Sequence, residues 1–313
     1  MKVCALAGGV GGAKLAAGLQ EVLPPGDLTV VVNTADDFDL WGLRICPDLD
    51  TVMYTLARIS NPETGWGLAG ESFDTLSMLA RYGEDTWFKL GDRDLATHVL
   101  RTARLRAGET LTTVTDALSG SLGIRSVVLP MSDEKVSTVL KTPAGLFEFQ
   151  EYFVRRGQRD EVLGVELRGI EEARPTDAVL EALVAADVVV FCPSNPVVSV
   201  GPILVLPGMR EALAASFAPK VAVSPIVGGK ALKGPADRML ASLGHEVSAA
   251  GVAAMYEGLV DGMVVDRVDE EERAGIEALG MRALATDSVM RGAGDRARLA
   301  REVVEFGAGL VAG

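Results

Sequence analysis

The glycine-rich segment Gly8-Gly9-Val10-Gly11-Gly12 decides the fold of this chain. It follows residues 2–7, an apolar run too short for a buried helix, which predicts a strand. Residues 13–23 come next, with apolar side chains at helical spacing, and predict a helix. A strand, a glycine turn and a helix bring bare backbone N–H groups and the positive end of a helix dipole to one point. Such an arrangement receives phosphate.

An acidic segment follows the second predicted strand, residues 28–33, and contains Asp37, Asp48 and Asp50. Because the carboxyl ends of parallel strands share one edge of a sheet, we expect these acids and the glycine turn to face one crevice. Mg²⁺ takes one or two carboxylates together with phosphate oxygens and water. Helix capping would explain one aspartate, but not five within residues 36–50. The segment therefore predicts a Mg²⁺-dependent enzyme that acts on a phosphate ester or pyrophosphate.

Length and composition indicate a globular protein with ample apolar material for a core. The chain has 313 residues, is 48% hydrophobic and 5% aromatic, and contains 35 glycines, as expected for helices and strands joined by tight turns. Its 30 basic and 43 acidic residues give a net charge of −13. Affinity for phosphate backbones requires clustered Lys and Arg, so a nucleic acid or an anionic membrane is disfavoured as a partner.

Cysteine usage and the N-terminus indicate a cytoplasmic protein. Cys4, Cys46 and Cys192 are too few and too scattered for a disulfide framework, and no pair has metal-ligand spacing. The sequence enters a strand directly without a signal peptide, and no apolar run reaches about 18 residues.

The remaining pattern predicts an α/β fold with a doubly wound, Rossmann-like and mostly parallel sheet, formed by one domain over residues 1–313. Helical stretches over residues 51–122 predict a helical insertion that covers the crevice. Short Val-, Leu- and Phe-rich segments over residues 130–172 predict a small antiparallel excursion, in which residues 145–153 alternate as a half-exposed strand. The parallel pattern then resumes, and residues 187–191 are the continuous apolar run of a strand buried on both faces.

The glycine turn matches neither common phosphate-binding fingerprint. Lys14 stands where a dinucleotide site requires its third glycine, and the residue after it is neither Ser nor Thr, as a Walker motif requires. A tight strand-to-helix turn is the alternative, but four glycines exceed what such a turn needs. Polar residues at the ends of other predicted strands could form hydrogen bonds with a base or a ribose. The sequence therefore favours a non-standard nucleotide cradle that comprises Gly8, Gly9, Gly11, Gly12, Lys14, Ser194, Asn195, Ser224, Gly229 and Lys230.

Lys89 and Arg93 belong to a second polar segment, which follows the aromatic pair Trp87 and Phe88. An ordinary solvated helix start is the alternative, but the position beside the aromatic pair favours a site loop. The chain has only two histidines, neither near a Ser or Cys motif, so a triad hydrolase is disfavoured.

At these residues the chain resembles the CofD family, the 2-phospho-L-lactate transferases of coenzyme F-420 biosynthesis, called FbiA in mycobacteria. The segments PDLDT (47–51), LGDRD (90–94) and PSNP (193–196) occur in family order and are specific in combination. The resemblance implies transfer of a phosphorylated three-carbon acid from a guanosine diphosphate ester to the terminal ribityl hydroxyl of the deazaflavin Fo, with release of GMP. It also implies a homodimer, for which we expect the contact within residues 130–172.

By the same resemblance, Asp50 and Lys89 match positions that contact the deazaflavin, and Arg93 lies beside them. Asp37, Asp48 and Asp50 are the candidates for holding Mg²⁺ or orienting the attacking hydroxyl, and the cradle residues would hold the guanosine diphosphate part. The glycine turn and residues 42–46 look more like the mycobacterial branch, whose donor carries enolpyruvate instead of lactate.

Two other functions are compatible with parts of the pattern. Proteins resembling the bacterial YvcK group share the glycine turn and bind nucleotide sugars as regulators, but PDLDT with LGDRD favours the transferase. An NAD(P)-dependent oxidoreductase would require the missing GxGxxG and an acid at the end of the second strand, where Asn33 and Thr34 stand instead.

Overall fold

A computed structural model describes residues 1–310 as a seven-stranded parallel sheet covered by helices on both faces. The strands are β1 (Val3–Ala7), β2 (Leu28–Val32), β3 (Phe38–Leu40), β4 (Leu43–Ile45), β5 (Val127–Pro130), β6 (Ser137–Thr142), β7 (Gly145–Glu148), β8 (Gly164–Arg168), β9 (Val188–Phe191), β10 (Lys220–Val223), β11 (Ile226–Val227), β12 (Lys230–Ala231), β13 (Gly262–Asp266) and β14 (Arg282–Thr286). The α-helices are α1 (Gly9–Val22), α2 (Pro47–Leu56), α3 (Asp74–Arg81), α4 (Asp92–Arg106), α5 (Leu111–Ser121), α6 (Asp177–Ala185), α7 (Val200–Leu204), α8 (Met209–Ala215), α9 (Ala236–Ser242), α10 (Ala249–Met255), α11 (Arg273–Ala278) and α12 (Ala293–Leu310). The last three residues of the predicted domain lie outside this description.

The strand order of the large sheet is β14-β13-β10-β9-β1-β2-β5, with every neighbouring pair parallel. From the central β1 the chain builds outward through β2 and β5, and then returns to the other side through β9 and the strands that follow. The order therefore reverses between β1 and β9, where open α/β sheets place their ligands. The predicted doubly wound, mostly parallel fold is confirmed.

Alternate residues of β1 enter two separate cores, which explains its continuous apolar sequence. Val3, Ala5 and Ala7 pack with α1, α2 and α12 on one face of the sheet. Cys4 and Leu6 pack with α6, α8 and α10 on the other face. A strand between two helical layers must be apolar at every position, and β9 meets the same requirement.

Two helices begin earlier than the sequence pattern predicts. α1 begins at Gly9, so the glycines form its first turns and do not precede it as a separate loop. α2 begins at Pro47 and not at residue 51, because proline at the first helical position has its φ already fixed and needs no partner for an N–H. As a result Asp48 and Asp50 both lie in the first turn of α2.

The antiparallel excursion is a three-stranded sheet in the order β7-β6-β8. The prediction of a strand over residues 145–153 was wrong beyond residue 148, because a π-helical turn, Glu151–Arg155, follows β7. Phe149, Tyr152 and Phe153 recur at helical spacing and pack into one small core. The hairpin of β3 and β4 was not predicted. Among the described helices, none combines the length and the apolar character that a membrane span requires.

Candidate active site

The glycine turn and the loop after β9 touch closely at the point where the strand order reverses. The Gly8 backbone N–H donates to the Ser194 hydroxyl oxygen at 3.0 Å, and that hydroxyl donates to the Gly8 carbonyl at 2.7 Å. A Cβ on Gly11 would lie 2.1 Å from the Pro193 carbonyl oxygen, and one on Gly12 would lie 2.4 Å from the Ser194 hydroxyl oxygen. Gly9 has a φ of +61°, which favours glycine. The glycines are therefore required by close backbone approach as well as by the turn.

Asp48 lies directly against this turn. A Cβ on Gly8 would lie 2.6 Å from Asp48 Oδ2, and the Asn33 side-chain amide donates to the same oxygen at 3.0 Å. Asp36 and Asp37 lie just beyond β2, and both are buried. The structure thus brings the glycine turn and the three carboxylates together at the carboxyl edge of the sheet.

The three carboxylates hold more negative charge than the surrounding residues neutralise. Burial raises the pKa of Asp36 well above its usual range, and the charges of Asp48 and Asp37 add to that effect. Burial raises the pKa of Asp37 to about 7, although the Arg44 guanidinium lies 3.4 Å from its Oδ2 and opposes the shift. Burial likewise raises the pKa of Asp48 to about 6, against the hydrogen bond from Asn33.

This cluster suits a divalent cation. Oδ1 of Asp36 and Oδ1 of Asp37 are buried and have no hydrogen-bond partner among the described residues. Carboxylate oxygens are the ligands that Mg²⁺ prefers, and a bound cation would offset the cost of burying them. Asp36, Asp37 and Asp48 are therefore the residues that would hold the metal. Asp36 was not among the predicted site residues, although its place at the end of β2, next to Asp37, was the available signal.

Asp50 has a different environment from the other acids. Its carboxylate forms two bonds with the guanidinium of Arg101, a fully buried side chain on α4, and the bond between Arg101 NH1 and Asp50 Oδ2 is 3.1 Å long. His98 Nδ1 lies 3.7 Å from the same carboxylate oxygen. Asp50 is therefore neutralised within the protein, whereas the Asp36, Asp37 and Asp48 cluster is not.

Comparison with known proteins identifies the family of this chain. The sequence model of the family described as 2-phospho-L-lactate transferase CofD matches residues 3–300. The chain belongs to the CofD family. It is 46% identical over 314 residues to the phosphoenolpyruvate transferase of Streptomyces griseus, with 98% of both chains covered. It is 42% identical over 305 residues to the 2-phospho-L-lactate transferase of Methanosarcina acetivorans, with 97% of both chains covered.

Among solved structures the fold is shared by a member of the UPF0052 family from Bacillus halodurans. The TM-score is 0.67 at 18% identity, and the match covers 97% of this chain and 98% of the other. At that identity the similarity shows the fold alone.

Two of the polar residues predicted to bind the nucleotide hold the conformation of their own loops. The Asn195 side-chain oxygen accepts from the Val197 N–H at 2.9 Å, and the Ser224 hydroxyl accepts from the Ile226 N–H at 3.1 Å. Gly229 lies on the exposed turn between β11 and β12, and Lys230, also exposed, begins β12. Asn195 and Ser224 therefore stabilise the loops that line the crevice.

Lys14 is half-buried and lies one helical turn beyond the glycines, on α1. Its ammonium group donates to the Met290 carbonyl at 3.1 Å. Burial lowers the pKa of Lys14, and the nearby charges of Arg296 and Lys233 lower it further. An anion at this point would relieve that repulsion.

The predicted acceptor residues lie at the start of α4. Lys89 is exposed, and the guanidinium of Arg93 donates to the Ala69 carbonyl at 3.0 Å. Beside them Phe38, Trp87 and Phe88 form an aromatic cluster, in which the rings of Phe38 and Phe88 lie edge to face with centroids 4.9 Å apart. An aromatic wall next to the exposed Lys89 ammonium suits a flat polar ring system.

Proposed function

We propose that this chain transfers a phosphorylated three-carbon acid, phosphoenolpyruvate or 2-phospho-L-lactate, from a guanosine diphosphate ester to the deazaflavin Fo. The terminal ribityl hydroxyl of Fo attacks the phosphorus that carries the three-carbon acid. The bond from that phosphorus to the bridging pyrophosphate oxygen breaks, and GMP leaves. The observation that carries this proposal is the unneutralised cluster of Asp36, Asp37 and Asp48 against the glycine turn.

The chain's own residues account for positioning and charge. Backbone N–H groups of the glycine turn other than that of Gly8, which donates to Ser194, and the Lys14 ammonium receive phosphate oxygens of the donor. Asp37 and Asp48 are catalytic in this proposal, since they would hold Mg²⁺ and orient the attacking hydroxyl. Mg²⁺ held by the acid cluster would spread the charge that develops on the pyrophosphate oxygens. Lys89, Arg93 and the aromatic cluster hold the acceptor, and Asp50 helps to orient it.

For the donor, we propose the enolpyruvyl ester. Three relatives from Streptomyces species, named phosphoenolpyruvate transferase, are 45–47% identical to this chain. Three relatives from Methanosarcina species, named 2-phospho-L-lactate transferase, are 41–42% identical. The difference is small but consistent in direction. We further propose that the protein acts on small molecules in the cytoplasm as a homodimer.

The test is to incubate the purified protein with Fo, Mg²⁺ and, separately, enolpyruvyl- and lactyl-diphosphoguanosine. GMP release and product mass would be followed. We expect turnover that requires Mg²⁺, is faster with the enolpyruvyl donor, and is lost in Asp48→Asn and Asp50→Asn. Asp39→Asn is the matched control, because Asp39 is an exposed acid on the β3–β4 hairpin. Tight nucleotide binding without turnover from either donor would instead support a regulatory nucleotide-sugar-binding protein.

A further inference from the structure

Asp50, Asp94 and His98 form a buried group that resembles a metal site. Each offers one ligand atom, and the three atoms lie within 4.8 Å of one another. All three side chains are buried between α2 and α4. Two carboxylates and an imidazole are a ligand set that Zn²⁺ and similar ions accept.

Arg101 already places a cation within this group. Its NH1 lies 3.1 Å from Asp50 Oδ2 and 3.3 Å from His98 Nδ1, and its NH2 bonds the other Asp50 oxygen. The side chain is fully buried, and a guanidinium keeps its charge at any pH a folded protein meets. A bidentate guanidinium also fixes the plane of the carboxylate, which a single ammonium does not.

A further layer of polar groups holds His98 and Asp94. The Tyr54 hydroxyl donates to Asp94 Oδ1 at 2.7 Å, and His98 Nε2 lies 3.3 Å from the same oxygen, at an angle that falls short of a hydrogen bond. Because Arg101 donates towards His98 Nδ1, that nitrogen is the acceptor and Nε2 carries the proton. Arg101 thus orients the imidazole at Nδ1, and Asp94 lies beside Nε2.

We propose that Arg101 is a positioning residue that acts as a built-in cation. Its guanidinium holds the Asp50 carboxylate in one orientation at the edge of the crevice. It also keeps divalent ions out of the Asp50–Asp94–His98 group, so that metal binds at Asp36, Asp37 and Asp48 alone. The effect on catalysis rests on the proposed function, whereas the exclusion of metal does not.

The metal part is tested by Zn²⁺ binding to Arg101→Ala. We expect this variant to bind one more Zn²⁺ per chain than the wild type, measured by calorimetry. The His98 ring nitrogens should shift in ¹⁵N spectra of the variant on addition of Zn²⁺, and not in those of the wild type. The chain contains two histidines, so the assignment is simple. Combining Arg101→Ala with His98→Asn should abolish the added site.

Arg104→Ala is the matched control, because Arg104 lies on the same helix and pairs with Glu109. It should leave zinc stoichiometry and activity at wild-type values. If folded Arg101→Ala gains no Zn²⁺ site, or gains one that persists in the His98→Asn background, the exclusion proposal is wrong.

The positioning part is tested with Arg101→Lys, which keeps a buried cation and avoids an unpaired carboxylate if Arg101→Ala fails to fold. We expect no added Zn²⁺ site, because the positive charge remains. We expect kcat to fall by about 10- to 100-fold with the KM for the guanosine donor unchanged, since misplacing a positioned group by about 1 Å has effects of that size. Wild-type kcat in Arg101→Lys would overturn the positioning role. Absence of transfer in the wild type would instead refute the proposed function, and the zinc result would still stand.

Discussion

The sharpest consequence of the acid cluster is that Asp37→Asn should stabilise the metal-free protein at alkaline pH. Burial raises the pKa of Asp37 to about 7, even with Arg44 beside it. The ionised carboxylate is therefore held in the folded state at a cost in free energy. Asparagine imitates the neutral acid in shape and removes that cost, while it also removes the proposed metal ligand.

The magnitude follows from the difference between the folded and unfolded pKa values. The pKa of Asp37 rises from 3.8 to about 7, and one unit corresponds to about 1.4 kcal/mol. Full ionisation of Asp37 thus costs the folded state up to roughly 4 kcal/mol. Because the folded pKa is the raised one, Asp37 does not reduce stability below about pH 4, its contribution becomes unfavourable as the pH rises from about 4 to 7, and the loss is complete above about pH 7. We expect Asp37→Asn to gain about 2–4 kcal/mol at pH 8 and almost nothing at pH 4.

The assay is urea unfolding in EDTA at pH 8 and pH 4, with wild type and variant side by side. Asp39→Asn, two residues further along the chain, is the control. Partial burial raises the pKa of Asp39, but the bond from Lys135 and the charge of Arg44 outweigh it, so that the pKa is lowered overall. Its replacement should give no gain at pH 8. A loss of stability in Asp37→Asn at pH 8, or an equal gain at both pH values, would refute the electrostatic reasoning.

Three further outcomes are expected. Gly11→Ala would place a methyl group 2.1 Å from the Pro193 carbonyl oxygen, so the free energy of unfolding measured in urea should fall by about 2 kcal/mol. Gly120→Ala, in open space on α5, should raise the free energy of unfolding by up to about 1 kcal/mol. Lys89→Ala should raise the KM for Fo in steady-state kinetics and change stability by less than about 0.5 kcal/mol, because Lys89 is exposed. Mg²⁺ should raise the melting temperature at pH 8 and have no effect on it below pH 6, because protons then compete for Asp48 and Asp37, whose pKa values are about 6 and 7. An effect of Mg²⁺ that does not depend on pH would contradict metal binding at this cluster.

The sequence was sufficient for the architecture, because strands buried on both faces leave a continuous apolar signal. β1, β2 and β9 were found in this way, and their order along the chain implied a parallel sheet with a crevice at one edge. The first and last residues of the helices and strands were less predictable. The start of α2 depends on a proline, and the π-helical turn after β7 depends on packing of Phe149 and Tyr152 against a core drawn from distant segments.

The function of the four glycines was only half predictable. Their number indicated more than a turn, and a phosphate cradle was the natural interpretation. The structure adds a second reason, the approach of Gly11 and Gly12 to the loop after β9, about 180 residues away in sequence. Close packing between distant segments leaves no local pattern in the sequence. The glycines can therefore be recognised from the sequence, but the neighbouring backbone that requires them cannot.

The environments of the five aspartates in residues 36–50 could not be predicted from the sequence. The aspartates look alike in the sequence, yet their environments divide them by partner. Asp39 is paired with Lys135, 96 residues away, and Asp50 with Arg101, 51 residues away. Among the described residues no cation neutralises Asp36, Asp37 and Asp48 together: Arg44 lies 3.4 Å from Asp37 and is shared with Asp39, at 3.7 Å. Folding thus gives Asp39 and Asp50 cationic partners and leaves Asp36, Asp37 and Asp48 buried with Arg44 beside one of them, so that a divalent cation would neutralise the charge that remains.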